Sequence, residues 1–512
     1  MSWLHEKTTD FLKQVREAKE KKAFPFLRRF ENVGPRVKIG RGSYINFTSN
    51  DYLGLSQHPA LIQAATAATA RFGTGLGSSR LQATADRHDE LERRLARWLG
   101  YPACAVFTTG YQSLVGTIAT FLDGETTVIL DNYSHASILD GVFLAKGNHP
   151  NLEVRFFKHN SVRGLRRVLQ SSTRKQKLVI VEGLYSVDGD MAPLAEMVEV
   201  CKEYGAPIMV DDAHGLGTIG RQGRGVGELL GVLDQIDFLV GTFSKSFGGV
   251  GGYVAADQTL IDYLKLQARS FVYSASLPVA QVDAAIAALD IIETDPSYRD
   301  RLETNKRFFR EGLLELGFDL GVSNTHITPI MIGDDVQALT FGAYLYHGAK
   351  VIMLPFIYPG VPKGTARLRC NVTAAHSKAD MGYALEALGV IGQELGILKA
   401  GAKTRASSVQ KALWLAEGKV AGLKNAGLGY LVQELEEAGS KVSSWAEGLF
   451  GGRGHGAKVR GGNGHGGDDD GPRDDDAASA QGAGEGERRD ATPTPAARPT
   501  TTTAPSSEQV QS

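Results

Sequence analysis

The run Ile208-Met209-Val210-Asp211-Asp212-Ala213-His214-Gly215 begins apolar without alternation and closes on two carboxylates, a histidine and a glycine. Such a run reads as a strand buried on both faces, with its polar groups released at the carboxyl end. Residues 103–108, 127–131, 178–182, 238–242 and 252–255 repeat the pattern. Amphipathic stretches such as 193–204 lie between several of them. Strand and helix alternating in this way predict an α/β unit, a large, mostly parallel sheet covered by helices. In open sheets of this kind ligands gather beyond the carboxyl ends of the strands.

Working outward, 512 residues are too many for one small core. A smaller α+β unit is expected from 291 to 400, opened by a charged helix near 296 and carrying strands near 327–332 and 366–372. The large unit then runs from 46 to 290, preceded by an N-terminal helical arm over 1–45, where Leu4, Phe11, Leu12 and Val15 recur at helical spacing. Two amphipathic helices are expected over 401–450, the first on Val409, Leu413, Ala416, Val420 and Leu423, the second from Leu428 to Leu449. From 451 to 512 large apolar residues nearly vanish, which predicts a disordered tail. A net charge of -1 argues against nucleic acid as a partner. The three cysteines, Cys104, Cys201 and Cys370, lack metal-ligand spacing and suit a reducing, cytoplasmic setting. No apolar window of spanning length is free of charge. The two helices of the extension are expected to pack against the small unit or against each other, with contact to a membrane surface as the alternative.

Chemistry concentrates at the predicted strand ends. Gly241-Thr242-Phe243-Ser244-Lys245-Ser246-Phe247-Gly248-Gly249 sets a lysine among hydroxyls and glycines just after a strand. Alone it reads equally as a solvated loop. A Schiff-base lysine, however, needs close backbone approach and hydroxyls such as Thr242 and Ser244 for a phosphate. Asp211 ends its strand where a carboxylate can be desolvated and aimed at a pyridine nitrogen, and His214 lies three residues on. Its plainer reading is a turn cap. Thr108-Thr109-Gly110-Tyr111-Gln112-Ser113 follows a strand and opens a helix, whose N–H groups would cradle a phosphate. His135 follows another strand and suits ring stacking; Ser186, in Glu182-Gly183-Leu184-Tyr185-Ser186, is a candidate partner of a ring hydroxyl. Five such pieces in this order point to pyridoxal 5'-phosphate (PLP).

These blocks resemble the α-oxoamine synthase family of fold-type I PLP enzymes. The likeness extends from about Phe47 to Gly396 and includes Ser49-Asn50-Asp51-Tyr52-Leu53-Gly54-Leu55, Gly77-Ser78-Ser79-Arg80 and Gly364-Thr365-Ala366-Arg367-Leu368-Arg369. The resemblance implies condensation of an amino acid with an acyl-CoA, with loss of carbon dioxide. It puts the imine lysine at Lys245, the pyridinium partner at Asp211, the stacking ring at His135, and ring-hydroxyl contacts at His214 and Ser186. Phosphate contacts fall on Gly110, Tyr111, Thr242 and Ser244. Arg369 would grip the substrate carboxylate and Asn50 would line the substrate site. It further implies a homodimer with a shared active site, a hydroxyl of Ser274 or Ser276 coming from the partner subunit. Within the family, Arg269-Ser270-Phe271-Val272-Tyr273-Ser274-Ala275-Ser276 and Leu368-Arg369-Cys370 look most like serine palmitoyltransferases of bacterial type, which implies L-serine and palmitoyl-CoA. Other blocks are similar to 8-amino-7-oxononanoate synthase and to glycine acetyltransferase. Some members carry a second arginine twelve residues before the carboxylate one; here that position is Ile357. A catalytically silent subunit on the same fold is the reading from another class, and the presence of Lys245 weighs against it.

Overall fold

The computed structural model describes residues 2–20, 26–399 and 404–424. Among the described residues, the segment expected to be a helical arm holds a helix over Trp3–Glu20. Further on lies a hairpin of β1 (Arg36–Ile39) and β2 (Gly42–Asn46), turned at Gly40, whose φ of 56° is open to glycine.

The large sheet is built from β3 (Ala103–Phe107), β4 (Thr126–Asp131), β5 (Glu153–Phe157), β6 (Gln176–Glu182), β7 (Ile208–Asp211), β8 (Phe238–Thr242) and β9 (Gly252–Ala256). Their spatial order is β3-β9-β8-β7-β6-β4-β5. From β8 to β5 every pairing is parallel, whereas β9 runs antiparallel to both neighbours. The reason is the length of the β8–β9 link. It holds no crossover helix, and a parallel return needs one. Lys245 therefore sits in a tight reversal at the sheet's carboxyl edge. Every residue of β3, β4, β7, β8 and β9 is buried, in keeping with their unbroken apolar runs.

Strand β5 has no counterpart among the strands expected from the sequence. It is the sheet's edge, its side chains are mostly half-buried, and Glu153 and Arg155 pair on its surface at 2.6 Å. Charged alternation of this kind protects an edge and erases the apolar signal.

After the charged helix Ser297–Leu316, a smaller antiparallel sheet forms from β10 (Ile327–Gly333), β12 (Leu354–Phe356) and β13 (Ala366–Asn371), ordered β10-β13-β12. The two-residue β11 (Val351–Ile352) adds parallel to β2. Phe309, Leu313, Phe341, Leu368 and Leu388 fill the core beside this sheet. Helix Ser408–Lys424, the first of the two expected in the extension, packs on that same core. Trp414 is 3% exposed, donates its indole N–H to Tyr383 Oη at 3.0 Å and meets that ring edge-on. The second expected helix and the tail lie outside the described residues. No described helix is long and apolar enough to cross a membrane. The three cysteines are free and buried.

Candidate active site

Parallel register sets the carboxyl ends side by side. Glu182, last in β6, is opposite Asp211, last in β7, and Asp211 is in turn opposite Val240 of β8. A cavity of about 260 Å³ opens over these ends, lined by Gly110, Tyr111, His135, Glu182, Asp211, His214, Thr242, Ser244 and Lys245 among others. Of the residues singled out in the sequence for catalysis or for cofactor and substrate binding, all but Ser186 belong to this cavity or to a hydrogen-bonded group at its side. Tyr111 lines the wall with an exposed ring whose hydroxyl bonds Asp140.

One end of the cavity is built for an anion. Thr109 caps helix Gly110–Phe121 by accepting the Gln112 N–H at 3.1 Å, so the helix starts at Gly110 with its amides free toward the cavity. A Cβ on Gly110 would sit 3.0 Å from Thr242 Cβ and Oγ1. Gly252 packs beneath, where a Cβ would come within 2.5 Å of Gly110 Cα. Thr242 Oγ1 and Ser244 Oγ are 2.9 Å apart and Thr242 Oγ1 accepts the Ser244 N–H. Backbone and hydroxyls can approach this closely only because both positions lack a side chain.

In the middle stand His135 and Asp211. His135 caps helix Ala136–Asn148, its Nδ1 accepting the Ser137 N–H at 3.2 Å. A ring nitrogen that accepts from a backbone N–H carries no proton, so the neutral ring holds its proton on Nε2. Burial, against the pull of Asp211, keeps its pKa below the usual histidine value. Asp211 is buried and its Oδ1 accepts the Ala213 N–H. The neighbouring Asp212 has the plainer structural role. Its Oδ2 accepts the Val226 N–H at 2.6 Å, and burial lifts its carboxyl to about 7.

Lys245 lines the same cavity. Burial pushes its ammonium down to about 8, opposed by the charges of Asp211 and Glu182 and reinforced by Arg369. Its side chain keeps some exposure, which is exposure to the cavity. An amine with a depressed pKa beside a carboxylate is set up for nucleophilic or basic use.

Glu182 is a site residue that the sequence reading misses, since there it stands only as part of a motif. Its Oε1 accepts the His135 N–H at 2.8 Å, and burial, followed by the nearby Asp211 charge, holds its carboxyl well above the usual range. The readable signal is its place at a strand end in register with Asp211.

Beside the cavity a second group converges. Arg369 Nη2 donates to Asn50 Oδ1 at 3.0 Å and lies 3.4 Å from Tyr52 Oη. Tyr52 Oη is 2.7 Å from His214 Nδ1, and Asn371 Nδ2 donates to the same Asn50 oxygen at 2.9 Å. Burial, with the charges of Lys245 and Arg369, holds His214 well below its usual value and therefore neutral. Arg369 Nε is buried without a partner, so its planar fork has donors left for a carboxylate. Ile357, in place of a second arginine, is buried just after β12.

One expectation, Ser186, lands outside the cavity, and Ser274 and Ser276 make contacts within the chain. Ser186 does not line the Lys245 cavity; it lines a second one of about 370 Å³ with Tyr133, Tyr185, Asp188 and Tyr358. The reason is the turn after β6, which carries residues 185–188 past His135 toward the loop at 358–362. Ser274 Oγ accepts from Gln112 Nε2 at 3.3 Å within the chain, and Ser276 Oγ donates to Ser78 O at 2.7 Å.

PLP fits this cavity. The helix N-terminus with two hydroxyls matches a phosphate, Asp211 matches a ring nitrogen, and Lys245 is a buried amine lining the same cavity. Comparison with known proteins agrees. Residues 43–388 match the family described as Aminotransferase class I and II. The chain is 40% identical over 369 residues to 8-amino-7-oxononanoate synthase of Geobacter metallireducens, covering 71% of this chain and 93% of the relative. It is 38% identical to the enzyme of the same name from Thermoanaerobacter pseudethanolicus, covering 78% of this chain and all of the relative. Among solved structures, serine palmitoyltransferase from S. paucimobilis, in a form with bound PLP, aligns with a TM-score of 0.73 at 35% identity, over 77% of this chain and all of that one. The chain belongs to the aminotransferase class I and II family, within its α-oxoamine synthase branch. It is a PLP-dependent acyltransferase that joins an amino acid to an acyl thioester. The solved structures most similar to the chain include the serine palmitoyltransferase that led the sequence reading, whereas the curated relatives carry the name of its stated alternative, 8-amino-7-oxononanoate synthase.

Proposed function

We propose that the chain is an 8-amino-7-oxononanoate synthase, condensing L-alanine with a pimeloyl thioester and releasing carbon dioxide and the free thiol. The observation that carries the condensation is the unpartnered Arg369 Nε, buried beside Asn50 and close enough to Lys245 to depress its pKa. The choice of substrates is supported by the curated relatives at 38–40% identity.

Bound PLP supplies the electron sink that stabilises negative charge at the amino acid's α-carbon. Gly110, Tyr111, Thr242 and Ser244 would hold its phosphate, Asp211 would keep its ring nitrogen protonated, and His135 would pack against its ring. His214 serves its ring hydroxyl. Arg369 and Asn50 grip the substrate carboxylate and so fix which bond to the α-carbon stands upright. Lys245 Nζ takes the α-proton, and its lowered pKa makes it a usable base near neutrality. The α-carbon then bonds to the thioester carbonyl carbon as the thiolate leaves to become the free thiol; the carboxylate departs as carbon dioxide, and the electron pair it leaves on the α-carbon takes up a proton to give the aminoketone. The enzyme acts as a homodimer, with a hydroxyl of Ser274 or Ser276 contributed across the interface.

A second reading, L-serine with palmitoyl-CoA, is supported by the likeness to the serine palmitoyltransferase structure. Thiol release with alanine, serine and glycine, each crossed against pimeloyl-, palmitoyl- and acetyl-CoA, separates the two. Release with alanine and pimeloyl-CoA alone supports the first; release with serine and palmitoyl-CoA alone replaces it with the second. No release in any combination defeats both.

A further inference from the structure

Behind His135 lies a charged cluster that the chemistry above does not use. His159, just past β5, sits between two aspartates. Its Nδ1 is 2.9 Å from Asp131 Oδ1 and its Nε2 is 3.0 Å from Asp190 Oδ2. Both carboxylates are committed as acceptors elsewhere. Asp131 Oδ1 accepts the Tyr133 N–H and its Oδ2 accepts the Asn160 N–H, each at 2.8 Å; Asp190 Oδ2 accepts from Asn160 Nδ2 at 2.7 Å. With carboxylate oxygens that already accept other N–H groups facing both ring nitrogens, the geometry calls for a proton on each nitrogen, an imidazolium. Burial opposes that charge, but bonds to Asp131 and Asp190 outweigh it and raise the ring to about 9. Tyr133 stacks on the ring at 4.3 Å, 23° from parallel, and Tyr185 meets it edge-on at 4.5 Å.

Three separate segments meet at this ring. Residues 131–135 begin at the last residue of β4, residues 159–160 follow β5, and residues 185–190 follow β6. The first is wound tightly onto Asp131, whose carbonyl accepts both the N–H and the hydroxyl of Ser134. The next residue is His135, anchored by its own N–H on Glu182. The third segment carries Ser186 and Asp188, and Asp188 pairs with buried Arg367, two residues from Arg369 on β13.

We propose that His159 is a positioning residue, held between Asp131 and Asp190, that locks the 131–135 turn and so fixes the His135 ring against the Lys245 cavity. It touches neither cofactor nor substrate. The proposal rests on the assignment of His135 as the ring that stacks on the cofactor.

The test has two arms. In the first, the apoprotein with ¹⁵N-labelled histidine is studied by NMR near pH 7.5. His159, assigned by its loss in His159→Phe, is expected to show both ring nitrogens protonated; a singly protonated ring overturns the proposal. This arm does not depend on which acyl thioester is used, so its failure is distinct from failure of the proposed function. In the second, the holoenzyme carrying His159→Phe, which keeps the stack and loses both donors, is compared with wild type. Expected are a changed visible circular dichroism of bound PLP and a fall in kcat of about 10–100-fold, with KM for the amino acid nearly unchanged. A lower melting temperature with unaltered kcat and dichroism would reduce His159 to a purely structural role and overturn the proposal. Should His159→Phe not fold, Asp190→Asn serves in its place with the same expected dichroism and kcat changes, and an unaltered enzyme again counts against it.

Discussion

Arg369 and Asn50 are 319 residues apart in the chain, yet Arg369 Nη2 donates to Asn50 Oδ1 at 3.0 Å. Asn50 lies just past β2 and Arg369 on β13, and the Asn371 amide reaches the same oxygen. The amide thus holds the guanidinium in place without neutralising it, and Nε is left bare. A buried donor without a partner is costly unless a ligand completes it.

Substrate affinity is expected to follow from that. Arg369→Lys keeps the charge but loses the planar fork, a loss on the order of 1.5–3 kcal/mol. KM for the amino acid should rise about 10–100-fold at saturating acyl-CoA, with a smaller change in kcat. Steady-state kinetics with the amino acid varied would check it. An unmoved KM would mean the carboxylate binds elsewhere.

Gly110→Ala should weaken cofactor binding. The added Cβ meets Thr242 at 3.0 Å and crowds the amides meant for the phosphate. Fluorescence titration of the apoprotein with PLP is expected to show a Kd raised at least about tenfold, one charge-assisted contact being worth roughly that much. An unchanged Kd would place the phosphate away from the helix N-terminus.

Lys245 should titrate near 8 in the apoprotein. Its rate of reductive methylation, followed by mass spectrometry, is expected to reach half its plateau at that pH. Asp211 supports the ammonium form, so Asp211→Asn should shift the midpoint lower, because removing a negative neighbour favours the neutral amine. A shift in the other direction would separate the two residues electrostatically.

His159 also makes a prediction about stability. Its pKa is raised from 6.5 to about 9 by Asp131 and Asp190 against the effect of burial. Below 6.5 both folded and unfolded forms hold the proton and the full contribution is present. Between these values the folded form binds more protons, so stability falls as pH rises and the contribution is gone above about 9. Tyr133 and Tyr185, the other titratable groups touching the ring, are shifted upward and stay protonated through that window. Urea unfolding of the apoprotein from pH 6 to 9.5 should lose this slope in His159→Gln.

Trp414→Ala should destabilise the protein by about 3–5 kcal/mol, the usual cost of emptying an aromatic site in a core. The side chain is 3% exposed and its N–H bonds Tyr383. A loss below about 1 kcal/mol in urea unfolding would show that helix Ser408–Lys424 is dispensable to the small core.

Much of the cavity is legible in the sequence for one reason. Apolar runs mark parallel strands, and parallel strands deliver their last residues to one edge. Asp211, Thr242 and Lys245 can be named from that alone, and Gly110 and His135 from the strand-to-helix turns beside them. Glu182 can be found by the same rule. Arg369 and Asn50 are reached only through resemblance, since nothing local in either stretch implies the other.

The amino-acid sequence by itself determined the α/β class, most strands of the large sheet and the cofactor. All of these follow from local burial patterns and from short motifs whose parts are neighbours along the chain. Tertiary structure alone decided the antiparallel course of β9, the edge strand β5, the placing of Ser186 outside the Lys245 cavity and the His159 clamp between two aspartates. These depend on which distant segments share an edge, and on burial that changes the charge state of each group. Neither is written in the spacing of residues along one strand.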